Sequence, residues 1–250
     1  MKLAIAIPTY NEVDNLKKLI PAIHKKLRDY PGLSTTLFIV DDNSPDGTAK
    51  IATALGKKHA TRNFKLTVLN REKKEGLGKA YIYAIEKILD LNTFDFILQM
   101  DADLSHNPTY IPSFIKATAT ADFVVGSRYI KGGSTPDWSW TRKLLSRFGN
   151  IYTKMLLGDR IHDYTGGFNM YSRALLESLD VATLQTSGYG FLIELKYRAI
   201  NQANGIIEVP IIFMDRLHGT SKIPRSTIVK NLLLVLKLAV ADPEPKRITI

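Results

Sequence analysis

Phe94-Asp95-Phe96-Ile97-Leu98-Gln99-Met100-Asp101-Ala102-Asp103 begins as a short, mostly apolar run of strand-forming residues and stops in two carboxylates separated by one small residue. In an open α/β sheet, ligands collect where strands end at their carboxyl edge. An Asp-x-Asp tip placed there offers two hard anionic oxygens, the donors that Mg²⁺ or Mn²⁺ takes when it also binds substrate phosphates. The alanine keeps the space between the carboxylates open to a ligand. A solvated aspartate pair at a strand end is the commoner meaning of such a tip, so the weight falls on what the rest of the chain brings to it.

Upstream, Leu3-Ala4-Ile5-Ala6-Ile7-Pro8 reads as a buried first strand. Leu16, Leu19, Ile20, Ile23 and Leu27 follow at the spacing of an amphipathic helix. Leu37-Phe38-Ile39-Val40 is a second strand that also ends in carboxylates, Asp41 and Asp42, and Asn43-Ser44-Pro45-Asp46-Gly47 after it is dense in turn formers. Residues 65–69 read as a third strand, 79–89 as a helix and Phe123-Val124-Val125-Gly126 as a further strand. This alternation of strands and helices predicts a mostly parallel central sheet with helices on both faces. The second half is less regular. Helices are expected over 141–157, 191–203 and 226–241, a loop over 163–168, and an extended segment over 206–213 broken by Pro210.

The chain has 250 residues and a formal net charge of +10, with 45% hydrophobic residues and no cysteine. The length suffices for one substantial core. The missing thiols exclude disulfides and thiol catalysis and fit a cytoplasmic setting. No signal peptide is read at the start, and the longest apolar run, 232–241 interrupted by Lys237, is too short to span a bilayer. A basic balance suits an anionic partner, although from charge alone a lysine-rich solvated surface is the favoured reading.

Three acidic strand tips, Glu12, Asp41/Asp42 and Asp101/Asp103, fall on one predicted sheet edge, where they repel one another unless a cation or hydrogen-bonding ligand is present. Arg128, Arg216 and Lys222 lie in loops that face the same edge. Acids for a metal and bases for phosphates describe a nucleotide-diphosphate site. There is no P-loop, Gly76-Leu77-Gly78 lacks the third glycine of a dinucleotide fingerprint, and the five histidines show no zinc spacing.

Pro8-Thr9-Tyr10-Asn11-Glu12, Asp41-Asp42-Asn43-Ser44-Pro45-Asp46-Gly47-Thr48, Arg71-Glu72-Lys73-Lys74-Glu75-Gly76-Leu77-Gly78 and Met100-Asp101-Ala102-Asp103-Leu104-Ser105-His106, taken in order, resemble the inverting glycosyltransferases of family 2. Within that family the chain is most similar to the dolichol-phosphate (polyprenol-phosphate) mannose synthases, and the likeness runs through Gly126-Ser127-Arg128-Tyr129 and 215–222. The resemblance implies a GT-A fold over 1–225, followed by a C-terminal amphipathic helix and tail over 226–250 with no transmembrane domain. It implies a nucleotide pocket lined by Pro8, Tyr10 and Glu12, with Val40 and Asp42 beside the base and ribose. Asp101, Ala102 and Asp103 would meet the diphosphate and a Mg²⁺ or Mn²⁺ ion. Ser105 stands where some relatives carry glutamine as an extra ligand, so its shorter hydroxyl reaches the metal directly or through water. Arg128, Arg216 and Lys222 would neutralise the donor diphosphate and acceptor phosphate, and Arg142 and Ser146 would flank the lipid phosphate. Gly166-Gly167 replaces the Ser-Gly of many relatives.

The implied reaction moves mannose from GDP-mannose to a polyprenyl or dolichyl monophosphate with inversion, at the cytoplasmic face of a membrane. The protein would attach there peripherally, or through a separate membrane-anchoring subunit. A UDP-sugar such as UDP-glucose is the alternative donor. A non-enzymatic binder of nucleic acid or anionic lipid is the remote alternative, and three acidic tips that repel a phosphate backbone argue against nucleic acid. His106, before Asn107-Pro108, reads as a turn or helix-start residue and Phe168 as packing. Glu194 is either a buried acid paired with an arginine or an orienter of the acceptor loop.

Overall fold

A computed structural model describes residues 1–184, 190–215 and 225–241. Seven strands form one sheet: β1 (Lys2–Thr9), β2 (Ser34–Asp41), β3 (Phe64–Asn70), β4 (Phe96–Gln99), β5 (Phe123–Ser127), β6 (Asn169–Ser172) and β7 (Ile206–Pro210). Their spatial order is β3-β2-β1-β4-β6-β5-β7. All neighbouring pairs are parallel except those of β6, which runs antiparallel to both β4 and β5. The helices are α1 (Val13–Leu27), α2 (Thr48–His59), α3 (Leu77–Asp90), α4 (Ile111–Ala117), α5 (Trp140–Leu157), α6 (Arg173–Ser178), α7 (Gly190–Gln202) and α8 (Arg225–Ala241).

The sheet is buried on both faces, which is why β1 reads as an unbroken apolar run rather than an alternating one. Leu3, Ile5 and Ile7 pack with α1 and α4, while Ala4 and Ala6 pack with α3 and α7. Register aligns Thr9 with Asp41 and Asp41 with Asn70, so the tips of β1, β2 and β3 end level at one edge. Connections leave β1 toward β2 on one side while β4 lies on the other. The crevice at that switch point is where a doubly wound sheet places its ligand, and Glu12, Asp42 and Asp101 all follow strands that end there.

Two features depart from the sequence reading. The four residues of β6 insert between β4 and β5, so the second half of the sheet is mixed. A strand this short carries no measurable period. It is held by its neighbours, and Gly126 N–H donates to Phe168 O just before it at 2.8 Å. A Cβ on Gly126 would stand 2.9 Å from that same carbonyl oxygen, so only glycine permits the approach. The extended segment does not stop at Pro210. Proline is tolerated at the end of edge strand β7, and pairing resumes with Ile211 N–H on Ser127 O and Phe213 N–H on Ser134 O.

Candidate active site

The Asp-Asp-x-Ser-x-Asp-Gly-Thr stretch consumes two of its three acids internally. Asp41 accepts from Thr9 Oγ1 (3.0 Å), Ser44 N (2.9 Å) and Ser44 Oγ (2.6 Å). Asp46 accepts from Thr48 N and Thr48 Oγ1, and that same Thr48 oxygen accepts Glu12 N–H at 2.9 Å. These bonds fasten the loop after β1 to the loop after β2. Asn11 and Asn43 take the left-handed backbone, which asparagine tolerates, at the two bends.

Asp42 is left to face the cleft wall, where Arg71 Nη1 donates to it at 2.6 Å and Arg71 Nη2 reaches Glu75 at 3.0 Å. Burial pushes the Asp42 carboxyl above the usual aspartate range, against the pull of Arg71. Tyr10 is exposed, with Lys74 Nζ 3.9 Å from its ring centre. Glu12 Oε2 accepts from Asn15 at 2.6 Å. Pro8 is half-buried in β1. Val40, expected beside the base, instead turns its side chain fully into the core under α3. The two-residue period of β2 puts it on the inner face. Ala102 is also buried.

At the β4 tip, each carboxylate is braced. The Tyr81 hydroxyl, from α3, donates to Asp101 Oδ1 at 2.9 Å. Burial, with Asp101 nearby, holds the Tyr81 hydroxyl well above the ordinary tyrosine range, so it stays protonated and donating. His106 stands at a bend two residues before the helical turn Pro108–Tyr110, as a turn or helix-start residue would. It is buried, stacked on Phe168, and its Nδ1 accepts the Asp101 backbone N–H at 2.9 Å. Burial lowers its pKa, and the neutral ring carries its proton on Nε2, 4.0 Å from Asp101 Oδ2. Asp103 Oδ1 accepts from Ser105 N (3.1 Å) and Ser105 Oγ (2.5 Å). Between them Leu104 sits at φ +67°, backbone strain of the kind that collects at functional sites.

This pair fits a hard divalent cation. A Cβ on Gly167 would stand 3.7 Å from Asp101 Oδ2, so the glycine keeps the space beside that oxygen open. Among the described residues no group of three His, Asp or Glu side chains converges. A metal held by Asp101 and Asp103 would therefore complete its shell with water and phosphate oxygens. Ser105, expected as a ligand, directs its hydroxyl proton at Asp103.

Arg128 departs furthest from its expected role. It is buried, with Nε and Nη2 each 2.7 Å from the two oxygens of Asp163 and Nη2 also on Thr165 Oγ1 at 2.8 Å. A buried guanidinium requires such a partner, so its fork is spent within the protein rather than offered to a diphosphate. Asp163 further accepts from Arg128 N, Thr165 N and Gly166 N. Lys196 Nζ donates to Asp163 O at 2.6 Å. Burial depresses Lys196 to about 8, against the pull of Asp163. Burial alone would raise Asp163; Arg128 overrides it and holds the carboxyl well below the usual range.

Beside Arg128 lies a pocket of about 190 Å³ lined by Arg128, Tyr129, Lys143, Arg147 and residues 133–136. Arg142 pairs with Asp215 at 3.0 Å and lies over the Trp138 ring, and Ser146 accepts from the Tyr129 hydroxyl at 2.6 Å. Glu194 is buried and paired with Arg198 at 2.7 Å, the first of its two readings. Arg216, Lys222 and His218 lie outside the described residues. Tyr81, Asp163 and Lys196 were not singled out from sequence. The available signal was weak: charged Glu194 and Lys196 set in an otherwise apolar helical run, and an acid heading the Gly166-Gly167 loop.

The model of the family described as glycosyl transferase family 2 matches residues 4–180. The chain belongs to glycosyltransferase family 2. It is 38% identical over 225 residues to a polyprenol monophosphomannose synthase of Mycolicibacterium smegmatis, covering 90% of this chain and 82% of that protein. It is 35% identical over 241 residues to an undecaprenyl-phosphate mannosyltransferase of Micrococcus luteus, covering 96% and 95%. Among solved structures, glucosyl-3-phosphoglycerate synthase from Mycobacterium tuberculosis, in complex with Mn²⁺, UDP and glucosyl-3-phosphoglycerate, superposes with TM-score 0.63 at 19% identity over 96% of this chain and 79% of that one. The mannosyltransferase PcManGT from Pyrobaculum calidifontis, in complex with GDP-Man and Mn²⁺, gives TM-score 0.58 at 17% identity over 96% and 73%. At these identities the structural likeness speaks for the fold. This family 2 chain has the α/β GT-A architecture.

Proposed function

We propose that this family 2 glycosyltransferase moves mannose from GDP-mannose to a polyprenyl monophosphate, inverting the anomeric carbon, with Mg²⁺ or Mn²⁺ held by Asp101 and Asp103. The carrying observation is the braced carboxylate pair at the β4 tip, and a cation-lined pocket lies at Arg128, just after β5. The curated relatives named for polyprenol and undecaprenyl-phosphate mannosyl chemistry support the choice of sugar and acceptor.

A bound divalent cation supplies charge neutralisation at the donor diphosphate. Tyr81, His106 and Ser105 hold the two carboxylates in place for it. Tyr10, Glu12, Asp42 and Arg71 form the nucleotide side of the cleft. Lys143 and Arg147, in the pocket whose wall the Arg128–Asp163 pair holds, take the acceptor phosphate with Arg142 and Ser146, and Arg216 and Lys222 are proposed to help neutralise the donor diphosphate and acceptor phosphate. A phosphate monoester has its second pKa near about 6, so at neutral pH it is already a nucleophile and needs no general base. Its oxygen forms the new bond to the anomeric carbon while the carbon–oxygen bond to the diphosphate breaks. The nucleoside diphosphate departs with the bonding electron pair. A prenyl acceptor resides in a bilayer, so the enzyme works peripherally at a membrane face.

Calorimetric binding of GDP-mannose, GDP, UDP-glucose and UDP, each with Mn²⁺ and with EDTA, tests this reading. Metal-dependent binding of the guanine pair alone is the expected result. Binding of the uridine pair alone overturns mannose while keeping the site, and binding of neither overturns the nucleotide-sugar reading.

A further inference from the structure

We propose that Trp138 is a further binding residue of this enzyme, its indole N–H donating to a phosphate oxygen of the acceptor. The inference rests on the reading of the cation-lined pocket as the acceptor site and adds to it a donor that carries no charge. Trp138 stands just ahead of α5 and is 7% exposed. Its Nε1 is shielded from solvent, and among the described residues nothing accepts its proton. An indole nitrogen is a donor only, and a buried one usually finds an acceptor. Leaving it bare costs the desolvation of that group, so each such case calls for a reason.

The surroundings supply the reason. Residues 133–136 line the pocket and lead directly into Trp138, whose backbone N–H reaches Thr135 O at 3.4 Å. Arg142, expected to flank the lipid phosphate, lies on the indole face with its guanidinium carbon 4.0 Å from the ring centre, and the Arg128 guanidinium carbon stands 5.3 Å from it. A chain of rings also leads from Trp138 toward the carboxylate pair. Trp138 meets Phe213 edge to face at 5.6 Å, Phe213 meets His106 likewise at 5.6 Å, and His106 accepts the Asp101 backbone N–H. Trp138 thus touches the cations at the pocket and, through Phe213 and His106, the brace of the proposed metal site.

Charge selects the acceptor atom. Arg128 and Arg142 are paired with Asp163 and Asp215, whereas among the described residues Lys143 and Arg147 of the pocket have no carboxylate partner. The surplus is positive. It suits an anionic oxygen rather than a neutral hydroxyl, and a hydrogen bond to a charged oxygen is the stronger kind. Two phosphate groups enter the proposed cleft. The donor diphosphate is anchored by the cation on Asp101 and Asp103, beyond Phe213 and His106. The acceptor phosphate settles on Arg142, which already lies against the indole, and is therefore the nearer source.

The chain contains two tryptophans, and Trp140 is exposed, so Trp140→Phe leaves Trp138 as the single indole. In that parent, a water-soluble short-chain prenyl phosphate should lower the indole N–H deformation frequency in ultraviolet resonance Raman spectra, the signature of an N–H gaining an acceptor. GDP with Mn²⁺ should leave the band in place. Producing the same chain with β-(3-benzothienyl)alanine in place of tryptophan puts sulfur where the N–H stands and keeps both rings. The calorimetric Kd for the prenyl phosphate should then rise about tenfold, while that for GDP with Mn²⁺ stays as in the parent. The melting temperature of the free protein should not fall, because the N–H has no partner there to lose. A band that does not move, a band that answers to GDP with Mn²⁺ instead, parental prenyl-phosphate affinity in the analogue protein, or a lowered melting temperature each overturns the inference. Mannose transfer by a parent whose band stays fixed overturns the contact and leaves the proposed reaction standing. Prenyl-phosphate binding with the band shift but without mannose transfer overturns the proposed reaction and leaves the contact standing.

Discussion

Tyr81 and Asp101 lie 20 residues apart in sequence, on α3 and just after β4, and meet in a hydrogen bond of 2.9 Å from the phenol to Oδ1. The bond fixes one carboxylate oxygen of the pair proposed to hold the metal. Tyr81→Phe removes only the hydroxyl. Partners that orient a metal ligand are worth roughly 10–100-fold in affinity, so Mn²⁺ binding in the presence of GDP should weaken about tenfold by calorimetry. The fold should lose about 1 kcal/mol in a denaturant melt, the net worth of one hydrogen bond. Unchanged Mn²⁺ affinity would detach Tyr81 from the metal site.

Asp103→Ala removes a carboxylate from that pair together with the acceptor of two Ser105 bonds. Turnover should fall to near background, while the melt shifts by no more than about 2 kcal/mol. Full activity in a folded sample would remove the metal-dependent mechanism. Ser105→Ala keeps both carboxylates, so a partial loss is expected there.

Asp42 and Arg71 form a buried pair in the cleft wall, both side chains nearly inaccessible. Arg71→Met leaves Asp42 without that partner, and burial then raises its carboxyl further. GDP affinity should drop about tenfold, and the protein should lose about 3 kcal/mol, the cost of an uncompensated buried charge. Titration of GDP alongside a urea melt separates the two effects.

Lys196 predicts a pH dependence with a definite sign. Its folded pKa, about 8, lies below the unfolded value of about 10.4. Between those values the unfolded chain holds a proton that the folded chain has lost, so this group makes stability rise with pH across the window. Relative to Lys196→Met, the parent should gain at most about 1.4 kcal/mol per pH unit from pH 8 to 10. Asp163 acts at the other end. Its depressed carboxyl contributes stability that is full above about pH 4 and is lost as pH falls below it. Denaturant melts of parent and variant at a series of pH values check both arms. A flat difference between pH 8 and 10 would contradict a buried lysine.

The first half of the fold was legible because its signals are local. An apolar run ending in acids, a heptad-like spacing from Leu16 to Leu27 and a turn-rich stretch at 43–47 each specify an element by backbone preference and burial pattern. The second half was less legible because β6 is four residues long and owes its existence to β4 and β5 on either side. The same division runs through the site. Asp101 and Asp103 announce themselves by spacing, and His106 lies in the same motif, whereas nothing local to Tyr81 marks it as a neighbour of the site and Lys196 shows only as a charge in an apolar helical run.

By itself the sequence determined the α/β class, the sheet edge at which the acids gather, the Asp101/Asp103 pair at the β4 tip and membership of a family. Only the tertiary structure decided how charges and hydroxyls at that edge are shared out. Arg128, legible as a free phosphate-binding cation, is a buried partner of Asp163; Val40 points into the core; and Asp41 and Asp46 serve the loops. The physical reason is desolvation. Whether a charged side chain serves a ligand or the fold depends on which opposite charges and donors the folded chain brings to it once water is excluded, and those partners come from segments far apart in sequence.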